Sequence, residues 1–261
     1  MSIRNLYRRF VPEGIRRSLD PFRGLSVPGV EGLNEKKVLI LSPHPDDDVI
    51  GCGGTLQLYK SRGAEVTSVY LTDGRKGGRR ITGDELVAVR REEARRAAGI
   101  LGIDRLIFLD NRDGELEPSF KTVSEVSDIL GEIRPEAVFL PFFIDNHADH
   151  IAASRIFLLA SRWAPAVMCY SYGIWTPLPS FNLLVDITAL SALKAKALSE
   201  HRSQLERLDL SGAASGLSRY YSLMSGGNGF AEVFLACSSV EYRRLGKIWD
   251  RTPPSFFKIS L

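Results

Sequence analysis

The chain has 261 residues, 44% of them hydrophobic and 25% charged, with a formal net charge of +3. That balance suits a globular domain with a substantial core. It excludes a membrane-spanning helix, since no apolar run approaches the roughly 20 residues required, and it gives no reason to expect nucleic acid as a partner.

The first two dozen residues hold Arg4, Arg8, Arg9, Arg16, Arg17 and Arg23 against Glu13 and Asp20, with Ile3, Leu6, Tyr7 and Phe10 at helical spacing. A basic amphipathic segment over 1–24 can lie on an anionic membrane surface. It can equally dock on the body of the protein or on a second copy in a homo-oligomer. Residues 1–35, ending in a Gly- and Pro-rich stretch, read as an extension and linker, and 36–261 as one domain. The N-terminus has no continuous apolar stretch of the secretory kind, so a cytoplasmic location is expected. Cys52, Cys169 and Cys237 are too scattered for a metal knuckle or a disulfide framework and read as small buried residues.

From residue 36 the pattern alternates. Residues 38–41 are a short apolar run, as in a parallel strand buried on both faces, and a helix is predicted over 49–62. The β-branched stretch 65–72 reads as a strand, and the Ala-rich stretch 84–101 as a helix ending near Gly102. A strand over 106–109, a helix over 123–133 stopped by Pro135, a strand over 137–142, a helix over 151–163 and a strand over 167–172 follow. Beyond these, 182–187 and 232–236 read as strands, 189–208 as one helix, and the Gly- and Ser-rich stretch 211–229 as a mobile loop. Repeated βα units predict an α/β, Rossmann-like domain with a mostly parallel sheet and helices on both faces. Its ligands should sit beyond the carboxyl ends of the strands.

Two of those ends carry the chemistry. The loop after the first strand reads Ser42-Pro43-His44-Pro45-Asp46-Asp47-Asp48, and the loop after the fourth reads Asp145-Asn146-His147-Ala148-Asp149-His150. Three adjacent carboxylates repel one another, and a cation with an imidazole ligand relieves the repulsion. The chain has four histidines, and three stand in these two loops. A solvated acidic turn and a capping histidine would explain each loop alone, but not their shared placement on one sheet.

The Pro-His-Pro-Asp-Asp run followed by Gly51-Cys52-Gly53-Gly54 resembles the signature of the PIG-L/LmbE family of zinc deacetylases, and His147-x-Asp149-His150 resembles its second motif. Thr72-Asp73-Gly74, Arg90 with Glu93, Asp113-Gly114, Lys196-Ala197-Leu198, His201-x-Ser203-Gln204 and Glu232 with Phe234 follow in the family's order. The resemblance spans about residues 36–240. It implies that His44, Asp47 and His150 bind Zn2+, one per chain, although other divalent metals suit the same N and O donors. Asp46 is then the general base, His147 an imidazolium that stabilises the oxyanion, and Asp149 the group that orients His147 and keeps it charged. Arg90 and Asp113 match positions that approach the sugar, and Arg75 in the basic loop after the second strand is a candidate for a phosphate on the substrate. The implied substrate is an N-acetylated sugar or glycoconjugate. Asp48 departs from the family, which usually has Glu there, so the support of the metal loop is a point to examine. A metal-dependent phosphoesterase is the rival reading, since Asp/His clusters also serve phosphoryl transfer, usually with two ions. A nucleotide-binding use of Gly51-x-Gly53-Gly54 is weaker, because the run does not make G-x-G-x-x-G and follows an acidic loop.

Overall fold

The computed structural model describes residues 33–249, apart from 163 and 179. The expectations for the segment 1–24 lie outside the described residues. The elements are β1 (Lys37–Ser42), α1 (Asp47–Ser61), β2 (Glu65–Thr72), α2 (Gly83–Leu101), β3 (Arg105–Asn111), α3 (Phe120–Ile133), β4 (Ala137–Pro141), α4 (Ala148–Ala160), β5 (Met168–Tyr172), β6 (Leu183–Asp186), α5 (Ser191–Leu198), α6 (Arg202–Leu205), α7 (Leu210–Met224), β7 (Ala231–Ser238) and α8 (Ser239–Trp249). The seven strands lie in the order β3-β2-β1-β4-β5-β7-β6. The pairs within β3 to β5 are parallel, and β7 runs antiparallel to both β5 and β6.

The near-continuous apolar strands follow from burial on both faces. Successive side chains of a strand point to opposite faces. Val38 and Ile40 therefore join one core with Leu56 and Tyr59 of α1, while Leu39 and Leu41 join the other with Val126 and Ile156 of α3 and α4. The three cysteines are free and buried, as their spacing suggested. No helix among the described residues is long and apolar enough to cross a membrane.

The chain departs from its predicted elements in its last third. The stretch 189–208 is not one helix: α5 ends at Leu198, and α6 starts only at Arg202. His201 sits in the break, fully buried, with neither ring nitrogen hydrogen-bonded among the described residues. The expected loop 211–229 is largely the helix α7. Its glycines and serines lower helix propensity, but Asp209 caps it by accepting from the Gly212 N–H at 2.8 Å. Packing on β7 stabilises the rest.

The buried His201 carries a consequence for acid stability. Burial, together with Arg90 and Arg96, lowers its pKa to about 3 from 6.5. As pH falls below 6.5 the unfolded chain takes up a proton that the folded chain refuses, so stability is lost between those two values. His201→Leu removes this term. The stability difference between the variant and the parent should shift toward the variant by about 2–3 kcal/mol between roughly pH 7.5 and 4.5. Denaturant titrations at the two pH values measure it, and an unchanged difference would show that His201 is hydrated.

Candidate metal and active site

β1 and β4 are adjacent although three strands apart in sequence. The crevice between them is where such a sheet reverses its strand order and where its ligands gather. Both histidine-bearing loops leave these strands at their carboxyl ends, so the topology itself brings them together.

Asp47 Oδ2 is the meeting point. It lies 3.2 Å from His44 Nδ1 and 3.3 Å from His150 Nε2, and it accepts the His44 backbone N–H at 2.8 Å. His44 Nε2 faces the other way, 3.1 Å from Asp149 Oδ2 and 3.2 Å from Asp113 Oδ1. Carboxylates on Nε2 fix a proton there, which leaves Nδ1 as the nitrogen that could exchange its proton for a metal beside Asp47. Burial opposes a charge on His44, but Asp113, Asp149 and Asp47 outweigh it and hold the imidazole well above its ordinary value. Asp47 is held well below its own: burial alone would raise it, and His150 and His44 reverse that. At His150 burial is likewise outweighed, by Asp47 and Asp145, and its pKa rises to about 9.

Asp46 stands beside this group. Its Oδ1 accepts from Arg90 Nη2 at 3.0 Å. Burial, opposed by Arg90, raises its pKa. Arg90 reaches it from α2 because Gly74 makes the turn after β2. Gly74 has φ of +69°, and a Cβ there would come within 2.8–2.9 Å of the guanidinium, whose Nη1 donates to the Gly74 carbonyl. Asp48 points away from the site. It accepts from Ser68 and Tyr70 hydroxyls on β2, each at 2.8 Å, and from the Val49 N–H. The shorter carboxylate thus finds three donors, and α1 is tied to β2.

His147 caps α4, its Nδ1 accepting the Asp149 backbone N–H at 3.2 Å. Burial, with His44 and His150, lowers its pKa. Two expectations are corrected here. The Asp149 carboxylate does not face His147: it accepts from the Gly114 and Leu116 N–H groups and lies against His44. His147 is therefore a neutral imidazole with its proton on Nε2, not an imidazolium maintained by Asp149. Arg75, expected near the substrate, does not line the cavity. Its Nε donates to Asp73 at 2.6 Å and its guanidinium pairs with Asp84, while Lys76 and Gly77 line the cavity in its place. Arg90 and Asp113 do line that cavity, but each is engaged by the site itself.

Three residues take roles that the sequence does not assign them. Asp145 Oδ2 lies 3.4 Å from His150 Nδ1, and both side chains are fully buried. Glu232 on β7 accepts from the Gly54 N–H, the Thr55 N–H and hydroxyl, and Lys194, and so ties the middle of α1 to the sheet. Trp175 stacks 6.3 Å from His147. The Gly51 run serves packing: a Cβ at Gly51 would lie 2.5 Å from the Tyr172 ring. Of these, Asp145 stood in the second histidine loop and could have been found as a partner for a ligating histidine.

The donors fit a divalent metal. Asp46, Asp47, Asp113, Asp145 and Asp149 are each at most 5% exposed, an excess of negative charge that demands a cation. His150 is completely buried, and neither ring nitrogen makes a hydrogen bond among the described residues, which is costly unless the imidazole is a ligand. Among the described residues His44 brings donor atoms within 4.8 Å of those of two pairs, His147 with His150 and Asp113 with Asp149. Those two carboxylates already accept the backbone N–H groups of Lys76, Gly114 and Leu116, so we favour the Asp47 side.

Residues 39–161 match the PIG-L family profile, described as GlcNAc-PI de-N-acetylase. Diacetylchitobiose deacetylase of Thermococcus kodakarensis is 32% identical over 190 residues, covering 65% of this chain and 70% of that protein. The chain belongs to the PIG-L family. Among solved PIG-L relatives, N,N'-diacetylchitobiose deacetylase from Pyrococcus horikoshii, in complex with an inhibitor, superposes with a TM-score of 0.71 at 27% identity, covering 93% of this chain and 95% of that one. The Pseudomonas putida hydratase GalB shares the fold at 22% identity, with a TM-score of 0.65 and 77% of this chain covered. The fold alone therefore does not fix the reaction, and the site has to carry it.

Proposed function

We propose that the chain hydrolyses the amide of an N-acetylglucosamine-type sugar or glycoconjugate, releasing acetate and a free amine with one divalent metal, zinc by preference. The observation that carries this reading is the buried His150, without a hydrogen bond among the described residues, sharing Asp47 Oδ2 with His44, next to a separate carboxylate, Asp46. His44, Asp47 and His150 would hold the ion. Such an ion polarises a carbonyl and brings the pKa of water down to about 7.

The rest falls to the protein. Asp46 takes a proton from the attacking water as the new C–O bond forms. It delivers that proton to the nitrogen as the C–N bond breaks. Arg90 positions Asp46 and favours its ionised form at the start of the cycle. His147, with Nδ1 engaged by the Asp149 N–H, has Nε2–H to donate to the carbonyl oxygen as that oxygen becomes negative. Asp149 and Asp145 orient His44 and His150.

The test is acetate release from a panel of N-acetylglucosamine conjugates. Chelation should abolish it, and about one equivalent of zinc per chain should restore it. Release that survives chelation would remove the metal from the reaction. Hydrolysis of phosphate esters with two ions bound, and no acetate, would favour the phosphoesterase instead. The basic segment 1–24 suits docking on the body of the protein or on a second copy and, as the alternative, an anionic membrane surface. In the alternative case the full chain should co-sediment with phosphatidylserine vesicles and be released by salt, and equal binding to neutral vesicles would oppose it.

A further inference from the structure

The crevice opens into a cavity of about 530 Å³ with His44, Asp46, Asp47 and His147 in its wall. Several polar groups of that wall are already engaged. Arg90 and Asp113 meet Asp46 and His44, and Lys194 pairs with Glu232 at 2.7 Å. Besides the histidines, Tyr172, Trp175 and Tyr221 are the aromatic side chains that line it. Tyr172 is 1% exposed and Tyr221 7%, whereas Trp175 is 46% exposed. Among the described residues Trp175 is therefore the broad aromatic face that the cavity offers to a ligand. An indole left half in water inside a cleft calls for something to cover it.

The indole is carried on an anchored turn. Trp175 stands just after β5. A Cβ at Gly173 would lie 2.3 Å from the Thr176 carbonyl oxygen, so the turn closes on itself as only glycine allows. Before it, the Tyr172 carbonyl accepts the Phe142 N–H at 2.8 Å. After it, the Leu178 N–H donates to the buried Tyr221 hydroxyl at 3.2 Å. A rigid aromatic face loses little conformational entropy when a ligand covers it.

Its position says what that ligand is. β4 and β5 are neighbours, so the turn after β5 comes beside the loop that carries His147. The indole and the imidazole are 6.3 Å apart, with their planes 26° from parallel. In the proposed reaction His147 meets the carbonyl oxygen of the amide, so a group attached to that amide reaches the indole. The acetyl methyl is too small to cover it. A pyranose ring is broad enough, and a glucosamine chair keeps its hydroxyls at the rim and C–H bonds on its faces. Stacking removes two apolar faces from water while the hydroxyls stay solvated.

We infer that Trp175 is the platform on which the pyranose ring of the substrate stacks, and that it selects a sugar among N-acetylated compounds. This rests on the amide-hydrolase reading above and adds to it the recognition of the ring.

The experiment sets the methyl glycoside of N-acetylglucosamine against N-acetylglucosaminitol, the reduced open-chain form, which keeps the amide and the hydroxyls but has no ring. The full chain loaded with zinc is used, with acetate release from the glycoside as readout and the open-chain compound as competitor. Trp175→Ala should raise KM for the glycoside about tenfold and leave kcat within about threefold, while KI of the competitor stays within about twofold. Trp175→Phe, which keeps an aromatic face, should recover most of the loss. An unchanged KM in Trp175→Ala would overturn the inference and leave the hydrolase reading intact. So would a KI that rises in step with KM, which would put the indole against the acetyl group, or a fall in kcat alone, which would make Trp175 a support for His147. A parent chain that binds zinc and releases no acetate from the glycoside would remove both.

Discussion

Asp46→Asn is expected to lower kcat by about 10³-fold with little change in KM. The amide keeps the size of the side chain and can still meet Arg90 through its oxygen, so the loop has no reason to move. What it cannot do is accept the proton of water and return it to nitrogen. Zinc content should stay at one per chain, because the carboxylate oxygen shared by His44 Nδ1 and His150 Nε2 belongs to Asp47. Elemental analysis alongside steady-state kinetics separates loss of the base from loss of the metal. A variant that keeps its zinc and works within tenfold of the parent would assign the proton transfer elsewhere.

The prediction is sharp because the first motif is so local. His44, Asp46 and Asp47 lie within four residues, so their identities and shared loop are visible in the sequence. That the second loop meets them follows from strand order, and the alternation of apolar runs with amphipathic helices was enough to infer it. The same alternation placed strand 65–72 at the observed β2. What it could not give was the direction in which carboxylates face. Asp149 is one residue from His150 and two from His147, yet its side chain turns to His44 and to two backbone N–H groups of the loop after β3. Only tertiary geometry selects that partner. The pairing of Arg75 is hidden for the same reason: a basic loop in sequence does not reveal Asp73 two residues earlier folding back onto it.

The helix α7 was hidden differently. Leu210, Ala213, Ala214, Leu217 and Tyr221 recur at helical spacing, and Asp209 is a good N-cap, so a signal was present. The intervening glycines and serines masked it, because their low propensity outweighs the period on a first reading. The error mattered functionally, since α7 forms one wall of the cavity that a loop would have left open.

His150→Ala should abolish turnover and bound zinc together, and added zinc should not restore either. The substitution takes one of three donors and leaves Asp47 and Asp145 facing each other across a buried void, like charges without the imidazole that separated them. Asp145→Asn poses the subtler question. It keeps every proposed donor and removes only the negative charge beside His150 Nδ1, 3.4 Å away. Changes of this kind typically cost about 10–100-fold in metal affinity, so activity should fall at limiting zinc and recover when zinc is raised. The two variants therefore differ in rescue rather than in severity. If His150→Ala still binds one equivalent of zinc as tightly as the parent, the ion is held on the His44–Asp113–Asp149 side instead. Asp113 and Asp149 would then bind the metal rather than orient His44.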